Sequence, residues 1–411
     1  MKMKIVWSFL VTAGVALVTA CGGGAGGGGG IAGIGGTGVT YGPVTGFGSV
    51  IVNGVEYVTS AADFSVEGSS AGIDQNDLDV GMVVTVTHDD NDNAKSISYQ
   101  DNAEGPVANL NAPGNTFDVL GVGITVDSLT VYDGLTDVNV DGAIDINDLA
   151  NDDIVEISGH ITAASAVLAT RVEYKATCST LGAGEEIEVK GTVSNVDTIA
   201  DTFDVGSLTV NANGLMPIGL ANGDYVEVKS GTCPSPNLSA TSIDNETEGA
   251  DLSDLDAGED GMELKGVIAN AAGSAPNCSF DIDGQAVRTT SGTDIEGNLS
   301  CATLVDGDTV KVEGQLNAGG TLVADQINRE DSEADVDSEF SGLVTVVSQT
   351  SSFNGVITVN GSANIAVDIA TAFHGDSQSF NLDTLAAGTL CAEVKTDATM
   401  RAISIDEEDC N

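Results

Sequence analysis

The sequence predicts an all-β protein: five small β-barrels in tandem, behind a signal peptide and a glycine-rich tether. Three observations carry this. The chain repeats itself several times. Each repeat holds short runs in which apolar and polar residues alternate. Val, Ile, Thr, Gly, Asp and Asn dominate, while Leu and Ala runs at helical spacing are scarce.

Four copies open on a glycine and a pair rich in β-branched residues: Gly105-Pro106-Val107, Gly191-Thr192-Val193, Gly266-Val267-Ile268 and Gly342-Leu343-Val344. An earlier copy starts at TGFGSVIVNGVEYVT, residues 45–59. A second strand follows, as NTFDVLGVGITV, DTFDVGSLTV or CSFDIDGQAV. A third strand alternates with period two, as in Val226-Glu227-Val228-Lys229 and Val310-Lys311-Val312-Glu313, so one face is buried and one is wet. The Gly-Asp before it makes a tight turn, because Gly tolerates positive φ and Asp bonds its own backbone. Five or six short strands in roughly 60 to 75 residues are too few for two packed sheets, but they can close into one barrel. The modules fall at 42–101, 104–175, 186–245, 261–328 and 340–411. Acidic linkers at 246–260 and 329–339 repel themselves, so the modules are expected as beads on a string.

The opening GFGSVIVNGVEY, the segment DLDVGMVVTV and the start GPVANLN resemble the bacterial family called domain of unknown function 5666. The resemblance spans nearly all of the chain after the tether. It weakens in the fifth copy, where AAGTLCAEVK replaces the Gly-Asp turn. It implies an OB-like barrel for each module, on a secreted or lipid-anchored protein, and it implies no activity.

The N-terminus reads as an address. Lys2 and Lys4 precede an apolar run from Ile5 to Val18, too short for a permanent membrane anchor and suited to a secretory signal over residues 1–20. Val18-Thr19-Ala20-Cys21 resembles a bacterial lipobox. That resemblance implies cleavage before Cys21 and acylation of its new N-terminus, hence a lipid-anchored protein of the cell envelope. Gly22, where an Asp would signal retention in the inner membrane, favours the outer membrane. The Gly-rich stretch within residues 21–41 cannot bury apolar surface and reads as a tether.

Six cysteines remain after Cys21, an even number that suggests disulfides in an exported protein. Their grouping favours Cys178–Cys233, Cys278–Cys301 and Cys391–Cys410, each local to one module. The formal net charge is −49, becoming −51 once Lys2 and Lys4 leave with the signal. Such a charge repels nucleic acid and anionic lipid, and the chain lacks the basic, aromatic groove that single strands need. Trp is missing after Trp7, which weakens carbohydrate stacking. Neither G-x-S-x-G nor H-E-x-x-H occurs. His88 and His160 follow third strands and read as surface residues, and His374 lies in an unrelated copy. The expectation is a non-enzymatic scaffold, spacer or binding protein. A carbohydrate- or matrix-binding surface adhesin is the alternative, with an envelope polymer or protein as partner.

One stretch points to a metal. TDVNVDGAIDINDLAN, residues 136–151, has the order of an EF-hand loop. Asp137 takes position 1, Asn139 position 3 and Asp141 position 5. Gly142 takes the sharp turn, the Ala143 carbonyl position 7, Asp145 position 9 and Asp148 position 12. Ile144 falls at position 8, where such loops pack an apolar side chain. Calcium there would stiffen the second module. The competing reading is a metal-free acidic turn before the third strand, which every copy must make.

Overall fold

The computed structural model describes residues 38–140, 144–182, 185–249, 261–295, 300–329, 338–368, 371–374, 380–387, 390–397 and 399–408. The signal segment, Cys21, most of the tether and most of both acidic linkers lie outside them. Among the described residues, no helix is long and apolar enough to cross a membrane.

Module 1 holds β1 (Gly38–Phe47), β2 (Val50–Val52), β3 (Val55–Tyr57), β4 (Asp63–Val66), β5 (Val83–His88) and β6 (Ala94–Tyr99). Module 2 holds β7 (Ala103–Asn111), β8 (Thr116–Val119), β9 (Val122–Thr125), β10 (Val131–Asp133), β11 (Asp153–Ala163) and β12 (Ala166–Thr177). Module 3 holds β13 (Ile187–Asp197), β14 (Thr202–Val205), β15 (Leu208–Asn211), β16 (Tyr225–Ser230), β17 (Leu238–Ser239) and β18 (Ser242–Asn245). Module 4 holds β19 (Gly261–Ser274), β20 (Asn277–Ile282), β21 (Gln285–Arg288), β22 (Asp294–Ile295), β23 (Thr309–Leu316) and β24 (Leu322–Arg329). Module 5 holds β25 (Ser338–Ser351), β26 (Asn354–Val359), β27 (Ile365–Val367), β28 (Ala372–His374), helix α1 (Leu382–Ala387), β29 (Cys391–Thr396) and β30 (Ala402–Glu408). Gly38–Tyr41, counted with the tether in the sequence, form the first part of β1.

The pairing closes each module into a small barrel. In module 2, β7 pairs antiparallel with β8 and with β11. β8 pairs with β9, and β11 with β12. The parallel pair β9–β12 shuts the ring. Module 4 repeats this circuit as β19–β20–β21–β24–β23–β19. Module 3 splits the closing strand into β17 and β18. In modules 1 and 5 the closing parallel contact shrinks to the bridges Val58–Asn93 and Ala366–Arg401.

The residues that recur between copies have structural work. Asn109, Asn195 and Asn270 adopt positive φ at a bulge in the first strand. Each donates its side-chain amide to the Asp of the following Phe-Asp-Val or Phe-Asp-Ile, at 2.6–2.9 Å, which holds the kink. Thr130, Thr293 and Thr371 donate to the carbonyls of Ala169, Ala324 and Ala402 in the last strand. A short turn or helix before the third strand of each module carries a buried leucine into the core: Leu78, Leu149, Leu220, Leu304 or Leu385.

The small barrels are as the sequence predicts; their arrangement as separate beads is not. Residues 35–411 form one compact unit. Modules 2 and 3 share a hydrophobic core, with Phe117, Ile154 and Val189 in the same cluster. The equivalent strands β7 and β13 pair antiparallel through Ala103–Val189 and Glu104–Glu188. Opposite, the Gly121 turn meets the Gly206 turn so closely that a Cβ on Gly206 would lie 2.1 Å from the Gly121 carbonyl oxygen. Modules 1 and 4 join through the parallel pair β1–β19, and Ile51 of module 1 enters the core of module 5. A barrel this small buries a modest share of its surface alone, so joining cores removes apolar area that beads would leave wet.

Cys178–Cys233 and Cys278–Cys301 are both disulfides. Cys391 is also disulfide-bonded, and its expected partner Cys410 lies outside the described residues. Cys178–Cys233 is not local to one module. Cys178 follows β12, where its N–H donates to Asp152 of module 2, and Cys233 lies beyond β16 in module 3. The bridge spans 55 residues of sequence and staples the two modules. Replacing both cysteines by serine should lower the unfolding free energy by about 2–4 kcal/mol in urea titrations. No change would show that the shared core alone holds the pair together.

Candidate functional site

The acidic loop is first. Asp141, Gly142 and Ala143 lie outside the described residues. Around them, the Asp137 carboxylate accepts the Val140 N–H. One oxygen of Asp148 accepts the Val138 N–H at 2.8 Å, and the other accepts the Asp145 N–H at 3.1 Å. Asp145 in turn accepts from the Asn147 N–H at 2.7 Å. Asp145 and Asp148 thus form a reciprocal capping box on the 3₁₀ turn Ile146–Asp148. Module 1 builds the same box from Asp74 and Asp77. Modules 4 and 5 build its relative, with Thr303 and Thr384 accepting the N–H of Ser300 and Asn381. The second half of the EF-hand pattern is therefore the turn that carries the buried leucine. Ile144 is exposed, unlike the packed residue expected at position 8.

A second cluster lies where modules 1, 2 and 3 meet. The Lys190 ammonium on β13 is 2.7 Å from Asp101 and from Glu188, 2.9 Å from Glu67 and 3.4 Å from Glu227. Glu67 and Asp101 belong to module 1 and its short link to module 2. Nearby, Lys175 bridges Glu156 and Glu173, and Tyr99 donates to Glu156 across the boundary of modules 1 and 2. Arg171 of β12 reaches Asp79 and the Val80 carbonyl of module 1, and Asp133 and Glu173 of its own module. Three triads of carboxylates converge here: Glu67–Glu188–Glu227, Asp79–Asp133–Glu173 and Asp101–Glu104–Glu156. Each already has a lysine or arginine among it or beside it.

Acids outnumber cations in this junction, and their protonation shows it. Burial pushes the Glu67 carboxyl up to about 7, reinforced by Glu188 and opposed by Lys190. Burial also pushes Glu104 up to about 7, reinforced by Glu156 and Glu188 and opposed by Lys175. Glu188 goes the other way. Burial would raise it, but contacts with Lys190 and Lys229 outweigh burial and hold it down at about 2.

The third feature is His160. The sequence reads it as a surface residue at a strand end; the structure buries it to 3% exposure within β11. Its Nδ1 lies 2.8 Å from Asp283 of module 4, and the other Asp283 oxygen accepts the Ile161 N–H. Gly266 lies against this pair, where a Cβ would be 2.9 Å from Asp283 and 3.2 Å from the imidazole. The His160 ring faces a cavity of about 110 Å³ formed by modules 1, 2, 4 and 5. Pro43, Val44, Leu129, Leu168 and Ile403 supply apolar wall, and Thr309 and Lys265 supply polar groups. Sequence reasoning missed this site because His160 and Asp283 stand 123 residues apart in different modules. His88 sits at the end of β5, its ring beside Tyr57.

The junction should respond to pH in a defined sense. Glu67 and Glu104 have folded values raised from 4.5 to about 7, so their contribution is full below 4.5 and lost as pH rises to about 7. Glu188, lowered from 4.5 to about 2, contributes above 4.5 and loses that contribution as pH falls toward 2. Stability should therefore peak near pH 4.5–5, and the Glu67→Gln, Glu104→Gln double variant should flatten the decline between pH 5 and 8. Lys190→Met should cost about 3–5 kcal/mol at pH 7, because it strands buried carboxylates. Urea unfolding across pH 3–9 checks all three; identical pH slopes in wild type and double variant would refute the assignment.

The geometry can be set beside known proteins. No curated protein matches this chain. A family model described as a domain of unknown function (DUF5666) matches residues 104–173 and 265–328, which lie within modules 2 and 4.

Proposed function

We propose that the protein is a lipid-anchored, non-enzymatic component of the bacterial outer membrane, in which five OB-like barrels act as one packed scaffold or binding body. The observation that carries this reading is the division of labour among polar residues. Those that recur between modules are taken up by bulges, turns and caps, as with Asn109–Asp118 and Thr130–Ala169. Polar residues buried between modules, Lys190, Arg171 and His160, join modules together instead. A closed five-stranded ring with one parallel pair supports the OB-like assignment. The lipobox-like Val18–Cys21 and the glycine tether support the anchor. Cys21→Ser should move the protein from the detergent-extracted membrane fraction to the soluble fraction, read by immunoblot. Unchanged membrane retention would defeat the anchor. Protease treatment of intact cells would then distinguish a surface body from a periplasmic one.

Calcium at the Asp137–Asp148 loop is part of the same proposal. Its support is the order of oxygen donors along the sequence. The turn bonds on Asp145 and Asp148 weigh against it, because a metal at position 12 must compete with the backbone N–H groups that Asp148 already accepts. Millimolar calcium should raise the melting temperature of the full-length protein, and Asp137→Ala should abolish that rise. An equal rise in the variant removes the loop from the reading.

A further inference from the structure

We propose that the cavity between modules 1, 2, 4 and 5 binds a small, neutral, largely apolar molecule carrying one hydroxyl group, with His160 as its hydrogen-bond partner.

Size and wall chemistry come first. At about 110 Å³ the space is comparable to, though smaller than, the roughly 150 Å³ engineered cavity that holds benzene. Val44, Leu129, Val131, Leu168 and Ile403 give it apolar sides contributed by three modules. Such a wall favours an occupant that is mostly apolar, while Thr45, Asp127, His160, Lys265 and Thr309 leave room for a polar end.

The polar end is built more deliberately. Asp283 accepts the Ile161 N–H through one oxygen and contacts His160 Nδ1 through the other, so the carboxylate acts as an acceptor and Nδ1 carries hydrogen. This fixes the ring's orientation in the cavity wall. Among the described residues nothing holds Nε2. Whether the ring is neutral or cationic, a hydroxyl satisfies Nε2, since it can donate to a lone pair or accept from an N–H. A carboxylate or phosphate ligand is disfavoured by Asp127 in the wall, by Asp283 behind the imidazole and by a chain of net charge −49. A cation is disfavoured by Lys265 and by the apolar sides.

The cavity differs from the groove on a single barrel face that an OB-like module offers. It exists only where four modules are packed, so occupancy is linked to assembly: a ligand bound there stabilises the packed body by mass action.

Calorimetric titration of the full-length protein with phenol, and with benzene as apolar control, tests this. Phenol should bind at least tenfold more tightly than benzene. His160→Phe, which keeps an aromatic ring, should erase that preference. Ala372→Leu, which projects into the cavity from β28, should weaken both ligands at least tenfold. Failure of both ligands to bind wild type, or phenol binding untouched by Ala372→Leu, overturns the site. Equal affinity of wild type for phenol and benzene overturns the role of His160. If His160→Phe fails to fold, the wild-type comparison and Ala372→Leu still decide.

Discussion

The structure depends on where a few positive charges are spent. The chain has 13 Lys and Arg against 62 Asp and Glu, and two of the lysines precede Cys21. Two of the remaining cations, Lys190 and Arg171, are among its most buried polar residues, and both lie at boundaries between modules. A buried ammonium is tolerated only when paired, and it then imposes a geometry on its partners. Lys190 draws carboxylates from module 1 and module 3 to one point. Arg171 does the same for modules 1 and 2. These contacts are weak grounds for net stability, because desolvation offsets their attraction. They are stronger grounds for specificity: five similar barrels could pack in many ways, and a packing that separated these cations from these acids would leave buried charges unpaired.

The barrels were legible because their causes are local. Period-two runs, Gly-Asp turns and the repeat itself all lie within short windows of sequence, and the cysteines fall close enough to pair by neighbourhood. Packing between modules was not legible. Its determinants, such as Ser158 Oγ accepting the Val83 N–H, join residues far apart in the chain that look ordinary in isolation. Lys190 and Glu188 alternate with the buried Ile187 and Val189 along β13. Only the approach of β7 to β13 turns their face inward. His160 failed for the same reason. Acidic linkers suggested separation, yet β6 of module 1 and β7 of module 2 are joined by only three residues, 100–102, with Asp101 among them buried.

The EF-hand-like stretch shows how a repeat can correct a motif. Taken alone, Asp137 to Asp148 matches a metal loop position by position. Set beside Asp74–Leu78, its last residues become a turn whose acids bond backbone amides and whose leucine is buried in the core. A motif in a chain this rich in Asp, Asn and Gly must explain more than the local turn already does. What is peculiar to module 2 is the segment from Asp137 to Asp141, and any metal chemistry has to rest there.

The same comparison directs attention away from the barrel faces. A residue repeated in several modules and bonded the same way in each is accounted for by the fold. A polar residue that occurs once, is buried, and reaches into another module is not needed to make a barrel. His160 meets that description: its partner Asp283 comes from module 4, and the cavity it lines is completed by residues of modules 1, 4 and 5. Tandem duplication supplies barrels; contact between the copies supplies an asymmetric space that none of them has alone. Selection for binding can act on that space without disturbing the turns and bulges on which every copy depends.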